Sequence, residues 1–206
     1  TDNSCEKVHN LICDDDRFTL VKNKKKRYAL ENIVRGIKML SPKDEDVIVT
    51  LDGDDWLANK NVLKTLKDKY EKKNCLITYG TYVVYPSGEK PWNITEYSEN
   101  VVSNADYRKD VWRASHLRTF KYKLWNKIRE EDLLEEDGRF CDGAWDLAFM
   151  FPMLEMAGPR GAYIKEILYV YNRDNPLNED KVDHQKLLAS ERKIRNMKKY
   201  NLIEEI

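Results

Sequence analysis

Asp44-Glu45-Asp46-Val47-Ile48-Val49-Thr50-Leu51-Asp52-Gly53-Asp54-Asp55-Trp56-Leu57 runs an apolar segment straight into a knot of acids. Val47, Ile48, Val49 and Thr50 are β-branched, which favours a strand over a helix. The run does not alternate with polar residues, so the expectation is a strand covered on both faces, as at the centre of an α/β sheet. Asp52, Asp54 and Asp55 then stand at its tip, with Gly53 relaxing the backbone between the first two. Acids at i and i+2 can face one ion from a turning backbone. Their oxygens suit a hard divalent cation, Mn²⁺ or Mg²⁺, and such a cation can stabilise a diphosphate as a leaving group. The plainer alternative is a charged turn after an edge strand.

Upstream, Leu30, Ile33, Val34, Ile37 and Leu40 fall at helical spacing, predicting a helix over about Tyr28–Leu40 that Ser41-Pro42 ends. Before it lies the densest basic run, Asn23–Arg27 (NKKKR). Lys25, Lys26 and Arg27 are candidates to approach a diphosphate, or they form a solvated loop. A helix over Cys5–Ile12 and a short strand over Phe18–Val21 precede them. Downstream, Asn59 is a candidate cap for a helix that buries Val62, Leu63, Leu66 and Tyr70. Cys75–Tyr85 reads as a strand broken at Gly80, with a turn at Pro86-Ser87-Gly88. Strand, helix, strand, helix, strand is the grammar of an α/β domain with a mostly parallel central sheet flanked by helices. Ligands of such sheets bind beyond the carboxyl ends of the strands, where Asp52–Asp55 would lie.

Residues 89–139 lose this pattern. Trp92, Tyr97, Tyr107 and Trp112 are scattered through polar sequence, which reads as an insert lining the acceptor side of a site or as a surface loop pinned by aromatics. Phe120, Leu124 and Ile128 are spaced for a helix over Leu117–Ile128, and Glu130–Asp137 reads as a solvated acidic linker. Phe140–Gly158 is informative again. Asp142 and Asp146 are four apart and share a face if a helix begins early, or Asp142 caps it. Both are candidates for a general base, with Asp146 favoured because Trp145 and Leu147 fix it. Pro152 is expected to end or kink this helix. Ala162–Tyr171 predicts a final strand, and residues 181–200 a C-terminal helix packing through Leu187, Leu188, Ile194, Met197 and Tyr200.

The 206 residues carry 36 basic and 36 acidic side chains, so no net charge draws the chain to nucleic acid. With 41% hydrophobic and 35% charged residues, it reads as a single globular domain over 1–206. Cys5, Cys13, Cys75 and Cys141 show no metal-site spacing and read as free thiols of a reducing compartment. No run approaches a membrane span and no signal peptide is visible, giving an expected location in the cytoplasm or at the cytoplasmic face of a membrane.

Taken together, these residues resemble a family 2 type glycosyltransferase with the GT-A fold. Thr1-Asp2-Asn3-Ser4 is similar to the end of that family's DDxSTDxS loop. Asn23 with Ala29–Asn32 resembles its N-x-G…A-R-N region, with Glu31 in place of Arg. Leu51–Asp55 matches its LDxDD, and Leu168–Arg173 (LYVYNR) resembles its LYxYR strand end. The resemblance implies inverting transfer of a sugar from a nucleotide-diphosphate sugar, a UDP-sugar favoured, to a hydroxyl of a glycan, lipid or protein acceptor. It implies that Asp54 binds Mn²⁺ or Mg²⁺, that Asp52 holds the ribose, the metal or its water, and that Asp55 orients the loop. It places the base near Asp142 and Asp146. Two departures stand out. The family's first strand does not precede Thr1, so the domain reads as incomplete at its N-terminus. The histidine that often follows the YR element is absent; Arg173 and Asp174 stand near its place and His184 is the nearest histidine. His9 and His116 read as surface or packing residues. The rival readings are a sugar-phosphate nucleotidyltransferase and a non-catalytic GT-A-like binding module.

Overall fold

The structure, a computed structural model, describes residues 3–13, 15–176, 178, 181 and 183–204. Thr1 and Asp2 lie outside the described residues, as do positions 177, 179, 180 and 182 of the predicted polar loop and C-terminal helix. The described chain runs α1 (Ser4–Ile12), α2 (Ala29–Leu40), β1 (Val47–Val49), β2 (Trp56–Leu57), α3 (Val62–Lys73), β3 (Ile77–Tyr85), α4 (Glu99–Ser103), β4 (Ser115–Lys121), α5 (Tyr122–Trp125), α6 (Trp145–Ala157), β5 (Gly161–Asn172) and α7 (His184–Asn196). Short 3₁₀ turns occupy Glu130–Leu133 and Gly158–Arg160. Phe18–Val21, predicted as a strand, is exposed and irregular.

The α/β class holds, with one sheet in the order β1-β4-β3-β5-β2. The expected mostly parallel direction does not. Only β3 and β5 pair in parallel, while β1–β4, β3–β4 and β2–β5 are antiparallel. The strand–helix–strand reading is still right about direction, since β1, β3 and β5 all run the same way. It misses that the chain returns through β4 and lays it between β1 and β3. Residues 117–121 read as part of a helix because Phe120 and Leu124 are spaced four apart. Both are fully buried, one closing β4 and the other in the single turn of α5.

β4, not β1, is the strand covered on both faces. Every one of its seven residues is buried, whereas Val47 and Ile48 are half-buried and Val49 is exposed. β1 thus forms an edge of the described sheet. On one face Leu117 packs with Val62 and Leu66 of α3 and with Ile164, Leu168 and Tyr169 of β5. On the other, Phe120 packs with Phe149 of α6 and stacks on Trp125. Thr119 and Lys121 of β4 find polar partners in place. Thr119 Oγ1 lies 2.8 Å from Tyr70 Oη and 2.5 Å from Thr78 Oγ1, and Lys121 Nζ donates to Glu45 at 2.6 Å.

α6 is buried at every position except Asp146. It runs through Pro152 to Ala157 rather than ending there. An interior proline costs a helix about 3 kcal/mol, less than a fully enveloped apolar helix gains at roughly 1.5–3 kcal/mol per large side chain buried. The stretch 89–139 is likewise better ordered than expected. Tyr97 and Tyr107 are core residues packed edge to face, and of Trp92, Tyr97, Tyr107 and Trp112 only Trp92 is exposed, at 84%.

Candidate functional site

The Asp52–Asp55 turn is held from β5. Tyr169 is fully buried; its hydroxyl accepts from the Asp52 N–H at 3.3 Å and donates to Asp55 Oδ2 at 2.6 Å. The Asn172 N–H donates to Asp55 Oδ1 at 2.7 Å. Asp55 therefore spends both oxygens on the LYVYNR strand and orients the loop, as the sequence implies. Burial, and then the neighbouring Asp54 and Asp52, push its carboxyl above the usual carboxylate range against those hydrogen bonds. Asp54 is exposed and accepts from Asn175 Nδ2 at 2.6 Å.

Opposite the turn, β4 contributes two residues of one face, His116 and Arg118. Arg118 is 2% exposed. Its Nη1 donates to Asp146 Oδ2 at 2.9 Å, its Nη2 lies 3.6 Å from Asp52 Oδ2, and its guanidinium sits 5.1 Å from the Trp145 ring centroid. One buried cation thus ties the acidic turn to the first turn of α6. A planar, permanently charged guanidinium suits two carboxylates at once in a way an ammonium does not. Asp146 is largely buried, and desolvation raises its pKa, with Arg118 opposing and Asp52 adding to the rise. His116 is buried and stacks on Tyr169 with centroids 4.3 Å apart. Burial first, then the charge of Arg118, push its pKa well below the ordinary imidazole value, so it is neutral. Its Nδ1 is buried without a hydrogen-bond partner.

These groups line one cavity of about 400 Å³, shared by Asp52, Asp54, Asp55 and Asp146 with His116 and Arg118, and also lined by Asn175 and Asn178. That size accommodates a small organic ligand. Asp52, Asp55 and His116 offer ligand atoms all within 4.8 Å of one another. Carboxylate oxygens with one neutral imidazole nitrogen fit a divalent ion such as Mn²⁺, and the unpartnered nitrogen of His116 is the observation that supports the fit.

The structure brings together Asp52, Asp54 and Asp146 of the residues singled out in the sequence. It leaves Asp142 and the basic run elsewhere. Asp142 is buried against Lys186 Nζ at 2.7 Å, and Arg27 pairs with Glu31. Lys25 and Lys26 border a separate cleft. Sequence reading missed His116, Arg118 and Tyr169. His116 lies more than sixty residues beyond the acidic turn, in a stretch whose spacing imitates a helix, and no local signal marks it.

The sequence profile described as Glycosyl transferase family 2 matches residues 1–139. No curated protein matches the chain. Among solved structures, S. aureus TarS is 14% identical with a TM-score of 0.61, over 94% of this chain and 31% of that one. A crystal structure of S. aureus TarS 1-349 in complex with UDP-GlcNAc is 12% identical with a TM-score of 0.62, over 94% and 53%. A complex of the same segment with UDP is 11% identical with a TM-score of 0.52, over 85% and 49%. The chain spans about half or less of the length of these structures, and at this identity they share its fold.

Proposed function

The chain belongs to glycosyl transferase family 2, and from that premise we propose that it transfers a sugar from a nucleotide-diphosphate sugar, a UDP-sugar first, to an acceptor hydroxyl with inversion. The observation that carries this reading is a single cavity in which an acidic turn faces a separate, largely buried carboxylate across Arg118. Asp52 would hold Mn²⁺ or Mg²⁺ together with Asp54 of the same turn, and Asp55 and His116 offer further ligand atoms within 4.8 Å of those of Asp52. When bound, that ion would offset the charge of the departing diphosphate. Asp55 also fixes the turn through Tyr169 and Asn172.

Asp146 is the base of this mechanism. It stands on a rigid helix, across the cavity from the donor acids, and its raised pKa brings it closer to the operating pH. It takes the proton of the acceptor hydroxyl as that oxygen bonds to the anomeric carbon from the face opposite the diphosphate. The bond to the diphosphate breaks and the nucleoside diphosphate leaves with the electron pair. Arg118 keeps Asp146 oriented, and through it the stretch 89–139 serves the acceptor side. Asp142, closed off by Lys186, is the weaker candidate.

Calorimetry of UDP binding with and without Mn²⁺ tests the donor half. UDP should bind with Mn²⁺ and lose at least about tenfold in affinity without it or in Asp54→Ala, since each tenfold corresponds to only 1.4 kcal/mol. His116→Ala should weaken Mn²⁺ itself, read from the Mn²⁺ spin-resonance signal in the absence of nucleotide. Equal UDP affinity with and without the ion would overturn the metal-dependent reading. A protein that binds UDP-sugar but neither transfers nor hydrolyses it would be a binding module.

A further inference from the structure

Phe18–Val21 is the one stretch read from the sequence as a strand that joins no sheet. All four residues are exposed, Phe18 by 55%, Leu20 by 40% and Val21 by 43%. α1, just ahead of it, buries none of its side chains. Among the described residues, none before Ala29 joins either apolar cluster. The chain thus presents a short strand-forming segment that its own core does not hold.

The free edge of β1 matches that segment. Among the described residues β1 pairs with β4 alone. The N–H groups of Lys123 and Tyr122 donate to the Asp44 and Asp46 carbonyls, and the Thr50 N–H donates to the Arg118 carbonyl. Even-numbered residues therefore face β4, and by antiparallel alternation Val47 and Val49 turn their N–H and C=O groups to the other side. Such an edge is a template for a further strand. Beside it Val47, Val49, Leu63, Leu66 and Tyr70 line a groove of about 490 Å³, in which Leu63 is 62% exposed. In a strand, Phe18 and Leu20 fall on one face. Laid next to Val47 and Val49, they would cover this groove.

Charge decides which strand meets which. Arg17 precedes Phe18–Val21, and Lys22, Lys24, Lys25, Lys26 and Arg27 follow it; β1 lies between Asp44–Asp46 and Asp52–Asp55. Two basic segments side by side, or two copies of β1, would oppose like charges. The basic segment on the acidic edge opposes unlike ones. We propose that a second copy of this chain lays its Phe18–Val21 along β1 over the groove, and that the exchange is reciprocal and closes a two-fold dimer. This inference stands apart from the glycosyltransferase reading.

Sedimentation velocity of the full chain at about 100 µM should give twice the 24.4 kDa of one chain. Leu20→Lys carries a charge into the groove from the inserted strand, and Val49→Lys blunts the edge that receives it. Each should weaken dimerisation at least about tenfold. Leu20→Lys alters a side chain outside both apolar clusters, so its thermal transition at a concentration where the parent is monomeric should match the parent's. Mixed together, the two variants should associate again, because one contact stays intact: Phe18–Val21 of the Val49→Lys chain on β1 of the Leu20→Lys chain. Raising salt from about 0.1 to 1 M shortens the screening length from about 10 to 3 Å and should weaken the parent dimer. A parent that sediments as one chain overturns the proposal. So does a dimer that Leu20→Lys leaves intact, or a pair of variants that stays monomeric on mixing. A species larger than two chains overturns the reciprocal closure.

Discussion

At the scale of the residue, the chemistry is concentrated in Asp146 and the guanidinium that holds it. Asp146→Asn keeps the size of the side chain and a hydrogen-bond acceptor for Arg118, but removes the base. Transfer should fall by about 10²–10⁴ in kcat with little change in donor affinity, measured by steady-state kinetics beside UDP calorimetry. The parent's rate should fall as pH drops through the raised Asp146 pKa, giving an acid limb above the ordinary aspartate value of 3.8. The stability sign is the reverse. A carboxyl whose pKa is raised in the fold stabilises the protein at pH below its unfolded value, and that contribution is lost as pH rises through the folded value. Asp146→Asn should lack this step, so the difference in Tm between parent and variant should narrow or change sign toward neutral pH. A difference that does not vary with pH would place Asp146 outside this account.

At the scale of the element, β4 is the decisive piece, since it brings His116 and Arg118 under the acidic turn. Its register against β3 shifts between Thr78 and Gly80. Gly80 sits at the crowded point: an added Cβ would meet the carbonyl oxygens of Ile164 at 3.1 Å and His116 at 3.3 Å. Both obstacles are backbone and cannot rotate away. Gly80→Ala should therefore cost about 1–3 kcal/mol of stability, read from urea denaturation, and should displace His116 enough to weaken Mn²⁺ binding. A variant with parental stability and metal affinity would show that the two strands yield there freely.

At the scale of the whole molecule, Arg108 and Glu155 join three separate parts of the chain. Arg108 Nε donates to Glu155 Oε1 at 2.5 Å, its Nη2 to Oε2 at 3.0 Å, and its Nη1 to the Ile194 carbonyl at 2.5 Å. The Tyr200 N–H donates to Glu155 Oε2 at 3.0 Å. Glu155 is 1% and Arg108 5% exposed. Removing one partner leaves the other charge buried and uncompensated, so Glu155→Ala should cost about 3–5 kcal/mol. The thermal transition should drop while any protein still folded keeps its UDP affinity, because the pair lies outside the acidic cavity. An unchanged transition would mean that α6 and α7 are held without it.

The sequence by itself determined the α/β class, the helices α1, α2, α3 and α7, the strands β3 and β5, and the acidic turn. These are written in local periodicity, β-branching and the spacing of acids, which depend on near neighbours alone. Only the tertiary structure decided that β4 would lie between β1 and β3, that β1 would be an edge of the described sheet, and that Asp146 rather than Asp142 would face Asp52. It alone brought His116 and Arg118 to that place. A strand built of Ser, His, Leu, Arg, Thr, Phe and Lys gives no hydrophobic signal of burial. Arg118, Thr119 and Lys121 meet Asp146, Asp52, Tyr70, Thr78 and Glu45, partners from 28 to 76 residues away. Burial of a polar side chain depends on the partner that meets it, and that partner is fixed only when the chain has folded.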